Sequence, residues 1–103
     1  DAAPEVPLQG PVRVSVVAVY PRPVSRPQRV PVEYWTPARR VLAPTSRSDL
    51  DNVVKLVMDA ASKAGWWEDD RHVAVIHAAR FYAAPSEGPR VEVEAVRLWS
   101  DDG

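Results

Sequence analysis

Proline is the residue that most limits what this 103-residue chain can fold into, because most of its eleven prolines lie within the first 44 residues. A proline has no backbone N–H, and it breaks long helices and central strands. For residues 21–44 we therefore predict a long loop, with at most a short edge strand at 32–36. Loops of this length in small domains are usually functional or mobile.

Outside this loop the sequence has the periodicity of regular secondary structure. Residues 12–20 are rich in β-branched side chains, with apolar residues on both faces, which predicts an interior strand. Apolar residues recur at helical spacing over 50–64 and predict a helix. Residues 71–82 and 91–98 alternate and predict two further strands. Strict alternation places four residues of the first of these strands on one face, namely Val73, Val75, His77 and Ala79.

This order of elements predicts the fold class. A strand, a long loop, a helix and two more strands are typical of a small α/β (α+β) domain, in which one helix packs on one face of a small mixed β-sheet. A chain of 103 residues is long enough for one core, so we expect residues 1–103 to form a single domain.

The composition excludes several classes of function. The chain has no cysteine, so it contains no disulfide, no thiolate zinc site and no cysteine nucleophile. No apolar run has the length needed to cross a membrane, and the first residues lack the pattern of a signal peptide. We therefore expect a cytoplasmic protein with no membrane partner.

Charge is distributed unevenly along the chain, although the formal net charge is only −1. Residues 21–48, which we call the arginine arm, contain six arginines and one acid, Glu33, so the arm carries +5 and the rest of the chain −6. A basic arm beside an acidic body is typical of a protein that binds a polyanion and holds a metal ion. The alternative is a solvated, proline-stiffened loop whose arginines contact nothing, and charge alone does not decide between the two.

The segment from Ser48 to Lys55 carries the clearest chemistry. Asp49 and Asp51 lie two residues apart at the predicted start of the helix, and Lys55 follows Asp51 by about one helical turn. Asp70, at the start of the next strand, lies near them if that strand runs back past the helix. Carboxylates from two elements form an all-oxygen site that suits Mg²⁺ or Mn²⁺. A metal-activated water beside a lysine suits hydrolysis of a phosphodiester.

The same residues permit simpler explanations. Asp49 and Asp51 could cap the helix, since acidic residues favour a helix N-terminus in any case. Asp51 and Lys55 could form a weak surface ion pair. Residues 68–70 could be a solvated turn. Spacing alone leaves the metal site and these alternatives open.

Several separated motifs combine into a larger pattern. They are Asp49, Asp51, Asn52, Lys55, Asp59-Ala60 and Asp69-Asp70, together with the strand and arginine-proline turn at 10–23. In identity and spacing these motifs resemble the RusA family of Holliday-junction resolvases. The resemblance is dense over residues 46–82 and looser over 10–30.

The resemblance implies a magnesium-dependent endonuclease, with Mn²⁺ able to substitute, that acts in DNA recombination and repair. Members nick four-way junctions symmetrically as homodimers, and many are encoded by phages or prophages, which implies a bacterial or phage-infected cell. By position, Asp49, Asp51 and Asp70 would be the metal-binding catalytic acids and Lys55 the catalytic lysine. Members usually have another strand and a helix ahead of the strand at 12–20, and we expect this chain to lack them.

Basic residues are the expected contacts to DNA phosphates. The predicted set is Arg22, Arg26, Arg39, Arg40, Arg47, Lys63 and Arg71. Trp66 and Trp67 are candidates for stacking on unpaired bases, although we expect one of them in the core. The rival function from another class is a non-catalytic protein that binds branched DNA, or serves as a scaffold, on the same fold. A further alternative is a nuclease for flaps or other branches.

Overall fold

The structure is a computed structural model that describes residues 6–44 and 47–99. The side chains of residues 47–49 lie outside that description. The elements in chain order are strand β1 (Val12–Tyr20), a 3₁₀ helix (Val32–Tyr34), strand β2 (Val41–Leu42), helix α1 (Arg47–Lys63), a second 3₁₀ helix (Asp70–His72), strand β3 (Val73–Tyr82) and strand β4 (Arg90–Arg97).

The four strands form one mixed sheet in the order β2-β3-β1-β4. β1 is parallel to β3 and antiparallel to β4, so it is the interior strand that its apolar residues predict. β2 is only two residues long and pairs with Phe81 and Tyr82, at the end of β3. The predicted fold class, a small mixed sheet with one helix, is confirmed.

The core lies between α1 and one face of the sheet. Val12, Val14 and Val16 project from β1 on this face, are fully buried, and form one cluster with Ala61 and Trp67. Burial of each such valine stabilises the fold by roughly 1.5–3 kcal/mol. Within the described residues, no helix combines the length and the apolar character that crossing a bilayer requires.

A glycine ends α1 close to the predicted position. Gly65 has a φ of 80°, a conformation that side chains of L-residues disfavour. The N–H of Trp66 donates to the carbonyl of Ala61 (3.0 Å), and the N–H of Gly65 donates to that of Ser62 (3.1 Å). These two bonds form the Schellman motif. The turn brings Trp67 into the core, where it is 1% exposed, so one of the two tryptophans is a core residue as expected.

The short edge strand predicted at 32–36 is wrong. Residues Val32–Tyr34 form a 3₁₀ helix, and the short edge strand is Val41–Leu42. Pro31 has no N–H for a sheet, and its carbonyl accepts from Tyr34 at 3.0 Å, which closes a tight turn instead.

Helix α1 begins at Arg47 instead of 50, so Asp49 lies within the helix and not before it. Neither Asp49 nor Asp51 is therefore the residue that precedes the helix, and the capping explanation is wrong in its simple form.

Val73 lies on the core face of the sheet, not on the face of Val75 as strict alternation predicts. The register between β1 and β3 shifts where Val12 pairs with Val73 and Arg13 pairs with Val75. Ala74 is the extra residue at this irregularity, and an extra residue reverses the alternation on one side of it. Val73 consequently packs against the core cluster.

Candidate functional site

Asp51 and Lys55 line an open cavity between α1 and β3, whose strand side is formed by Ile76 and Ala78. Their spacing of four residues places them on one side of the helix. Both side chains are exposed, and within the described part of the chain no ion pair joins them. The surface ion pair considered for these two residues is therefore not formed. In this cavity the ammonium of Lys55 is available to bind an anionic ligand, and the carboxylate of Asp51 is available to bind the cation that accompanies it.

Asp70 is oriented by a core residue. The indole Nε1–H of Trp67 donates to Asp70 Oδ1 at 2.7 Å, and Trp67 is buried. The neighbouring Asp69 accepts from the backbone N–H of Arg71 at 3.0 Å. Asp70 itself is exposed. The turn that holds Asp70 is therefore ordered by specific bonds, and a purely solvated turn does not describe it.

Asp51 lies near the N-terminal end of α1, whereas Asp70 follows the C-terminal end of that helix. About 18 Å of helix separates Asp51 from Lys63, and Asp70 follows the end of that helix. Magnesium takes oxygen ligands at about 2.1 Å, so two ligands of one ion lie within about 4 Å of each other. Among the side chains that the structure describes, no group of three His, Asp or Glu residues could hold a metal ion.

The predicted ligand set has the oxygen chemistry that Mg²⁺ requires. Convergence of its members on one ion stays a prediction. The side chain of Asp49 lies outside the described residues. Its pairing with Asp51 stays a prediction.

Arg22 and Arg26 of the arm make internal contacts. Arg22 donates to the carbonyl oxygens of Thr36 and Ala83, and its guanidinium lies over the ring of Trp35, 4.2 Å from the centroid. Arg26 donates to a carbonyl oxygen within the arm at 2.7 Å. For these residues the alternative of arginines that contact nothing is wrong, because they fasten the arm to itself and to the body.

Arg40 is bound by two carboxylates that sequence reasoning missed. Its guanidinium lies 2.6 Å from Glu87 and 2.7 Å from Glu92, and Arg90 contacts both carboxylates as well. Hydrogen bonds from Arg40 lower the pKa of each glutamate from 4.5 to about 2, and the same bonds raise the pKa of Arg40. Alternation along β4 indicates the face on which Glu92 lies, but no local signal connects it with a residue of the arm.

The remaining predicted DNA contacts are three exposed basic residues and Arg47. Arg39, Lys63 and Arg71 are exposed, and Arg71 forms an ion pair with Asp69 at 3.6 Å. The side chain of Arg47 lies outside the described residues. Contact of these residues with DNA stays a prediction.

Similarity to known proteins agrees with the motifs. A family model described as endodeoxyribonuclease RusA matches residues 1–95. A protein of Bacillus subtilis (strain 168) with the name Uncharacterized protein YqaN is 35% identical over 94 residues. That match covers 87% of this chain and 60% of the relative, so the chain spans less than two thirds of the relative's length. No solved structure matches the chain.

Proposed function

Since the chain belongs to the RusA endodeoxyribonuclease family, we propose that it cleaves phosphodiester bonds of four-way DNA junctions. The observation that carries the proposal is the position of Asp51 and Lys55 on one wall of an open cavity, with no ion pair between them. Lys55 is placed to stabilise phosphate oxygens that gain negative charge during cleavage.

The proposed cofactor is Mg²⁺, with Mn²⁺ as a substitute, and the proposed ligands are Asp49, Asp51 and Asp70. This part of the proposal rests on the chemistry of the carboxylates and on the family match, not on their placement within one chain. A bound ion supplies an activated water and shields the charge of the scissile phosphate. The hydrogen bond from Trp67 holds the carboxylate of Asp70 in one orientation.

The proposed partners are a second copy of the chain and branched DNA. Two equivalent sites related by a two-fold axis can address the two symmetric strands of one junction. Phosphate contacts from Arg39, Lys63 and Arg71 would make binding weaken as salt increases. In a bacterial or phage-infected cell, this activity would serve DNA recombination and repair.

The test uses a labelled synthetic four-way junction with and without Mg²⁺. We expect symmetric nicks with Mg²⁺, an intact junction without it, and a rate lower by about 10²–10³ for Lys55→Ala. Asp51→Asn and Asp70→Asn should bind the junction without nicking it. The control is Glu94→Gln, an exposed carboxylate on the opposite face of the sheet, which should nick as the wild type does.

Undiminished nicking by Asp70→Asn would remove Asp70 from the site. A junction that wild-type protein shifts on a gel but never cuts would favour the non-catalytic binder or scaffold. Faster cutting of flaps in the same assay would favour the alternative branched substrate.

A further inference from the structure

A second, smaller cavity opens within the arginine arm, where residues 29–31 and 34 meet residues 42–44. Among its lining residues, Val30 and Ala43 are buried, whereas Tyr34 and Leu42 are 58% and 56% exposed. Its volume of about 240 Å³ is below that of sites that enclose a whole drug-sized molecule. The cavity is therefore suited to a single ring-sized group with an apolar face.

The backbone around this cavity is fixed by hydrogen bonds. The N–H of Val30 donates to the carbonyl of Pro27 at 3.0 Å, and the guanidinium of Arg26 donates to the carbonyl of Val30 at 2.7 Å. The N–H of Tyr34 donates to the carbonyl of Pro31 at 3.0 Å. A site whose walls are ordered before binding loses less conformational entropy when its ligand binds.

Tyr34 and Arg29 supply the two kinds of group that bind an unpaired nucleotide. An exposed aromatic ring is a surface on which a base can stack, and a guanidinium binds the phosphate. Within the described part of the chain, Arg29 has no carboxylate partner. The arm carries +5, with Glu33 as its single acid, so charge favours a polyanion over a neutral apolar peptide.

The cavity lies close to the candidate active site along β3. Leu42 lines the cavity and pairs with Phe81, while Ala78 lines the cavity of Asp51 and Lys55. The three residues of strand from Ala78 to Phe81 span about 10 Å. That distance is about three phosphate spacings along one DNA strand, so one strand can reach both cavities.

We propose that the cavity of the arginine arm binds one unpaired nucleotide near the cut site, with Tyr34 stacked on the base and Arg29 on its phosphate. The place of this nucleotide in the reaction rests on the proposed nuclease function, whereas its binding does not require cleavage. Extrusion of a base costs least where it is already unpaired. Such a site would therefore favour a branch point over continuous duplex.

Two short DNA strands test the stacking without reference to cleavage. One is a fluorescein-labelled thymidine strand of about eight nucleotides, and the other has the same number of phosphates but lacks the bases. Binding is measured by fluorescence anisotropy in EDTA. We expect the wild type to bind the thymidine strand about tenfold more tightly than the strand without bases.

Variants of exposed aromatic residues assign that preference to one ring. Tyr34→Ala should bind the two strands equally, and Tyr34→Phe should keep the preference because the ring remains. Trp99→Ala is the matched control, since Trp99 is 60% exposed and lies outside the arm. Equal affinity of the wild type for the two strands, or a preference that Tyr34→Ala keeps, would overturn the stacking.

Salt dependence tests the phosphate contact. Arg29→Gln should weaken binding of both strands equally and reduce the slope of log affinity against log salt by about 0.7. Arg97→Gln removes an exposed arginine of β4 and should leave the slope unchanged. An unchanged slope for Arg29→Gln would overturn the role of Arg29.

These measurements fail separately from the nuclease function. A wild type that prefers the thymidine strand but nicks no junction would overturn the nuclease function and leave the nucleotide site intact. Nicking by a wild type that binds both strands equally would overturn the nucleotide site alone. A proline-rich peptide that binds the wild type but not Tyr34→Ala, with no preference between the strands, would assign the cavity to a peptide instead.

Discussion

At the residue scale, a substitution of Gly65 tests whether this glycine stabilises the C-terminal end of α1. Its φ of 80° disfavours any side chain, and no atom lies within 4 Å of the position that a Cβ would take. We expect Gly65→Ala to lower the free energy of unfolding by about 1 kcal/mol, from backbone strain alone. Gly88→Ala is the matched control, since that position is equally open and its φ is not in the left-handed region. Urea denaturation of both variants measures the difference, and equal losses would contradict it.

The residues of the candidate site differ in how far the sequence could place them. Asp51 and Lys55 line the same cavity. The sequence could predict that they lie on one side of the helix, because a spacing of four residues is a local property. The position of Asp70 depends on which end of α1 the start of β3 approaches, and that is a tertiary property which spacing does not contain. The expectation that Asp70 meets Asp51 therefore stays a prediction. The bond from Trp67 to Asp70 has no sequence signal other than proximity along the chain.

At the element scale, Arg40, Glu87 and Glu92 join the arginine arm to the strand at the sheet edge. The pKa of each glutamate is lowered from 4.5 to about 2. A carboxylate with a lower pKa in the folded state stabilises the fold above its unfolded pKa, and that stabilisation is lost as the pH falls toward the folded pKa. The side chains are partly exposed, so solvent moderates the effect.

We expect the Tm of the wild type to fall more steeply between about pH 5 and pH 2 than that of Glu87→Gln/Glu92→Gln. At neutral pH the double variant should be the less stable protein, because Arg40 has lost both partners. Glu94→Gln, which removes a carboxylate outside this cluster, should follow the wild-type curve. Thermal unfolding followed by circular dichroism checks this, and parallel curves for wild type and double variant would contradict the role of the cluster.

The long elements were predictable because their periodicity is a local property. The nine residues of β1 and the apolar face of α1 repeat often enough to identify the element. The two-residue β2 has no period, and its existence depends on pairing with a strand some forty residues away. The irregularity at Ala74 is likewise a consequence of pairing with β1, so alternation alone assigned Val73 to the wrong face.

At the scale of the whole molecule, the chain is elongated, with extents of 51 × 25 × 24 Å. The two edges of the sheet differ in chemistry, since β4 carries Glu92 and Glu94, whereas residues 73–79 of β3 have no charged Asp, Glu, Lys or Arg. Among the described residues, no strand pairs with 73–79 on the outer side of β3. Pairing two copies through β3 would continue the sheet across the molecular two-fold axis and leave both charged β4 edges outermost. A homodimer was expected from the family resemblance, but the choice of edge needs the sheet order, which one sequence does not reveal.

If the proposed homodimer pairs through the outer edge of β3, a charge in the middle of residues 73–79 should separate the two copies. Ile76 is the midpoint of this stretch, so in an antiparallel pair centred there Ile76→Lys places two lysines opposite each other, and like charges at such a position oppose strand pairing. We expect the dimer dissociation constant to rise by at least about tenfold, measured by analytical ultracentrifugation. Val91→Lys, at a residue of β4 that is 51% exposed against 45% for Ile76, is the matched control on the other edge. It should leave the dissociation constant unchanged.

The same pair of variants connects assembly with activity. If nicking requires the proposed homodimer, Ile76→Lys should nick junctions poorly at low protein concentration and regain activity as the concentration rises, because mass action restores the dimer. Val91→Lys should nick at the wild-type rate throughout. A monomeric Ile76→Lys protein with full activity would separate catalysis from pairing and place the complete site within one chain.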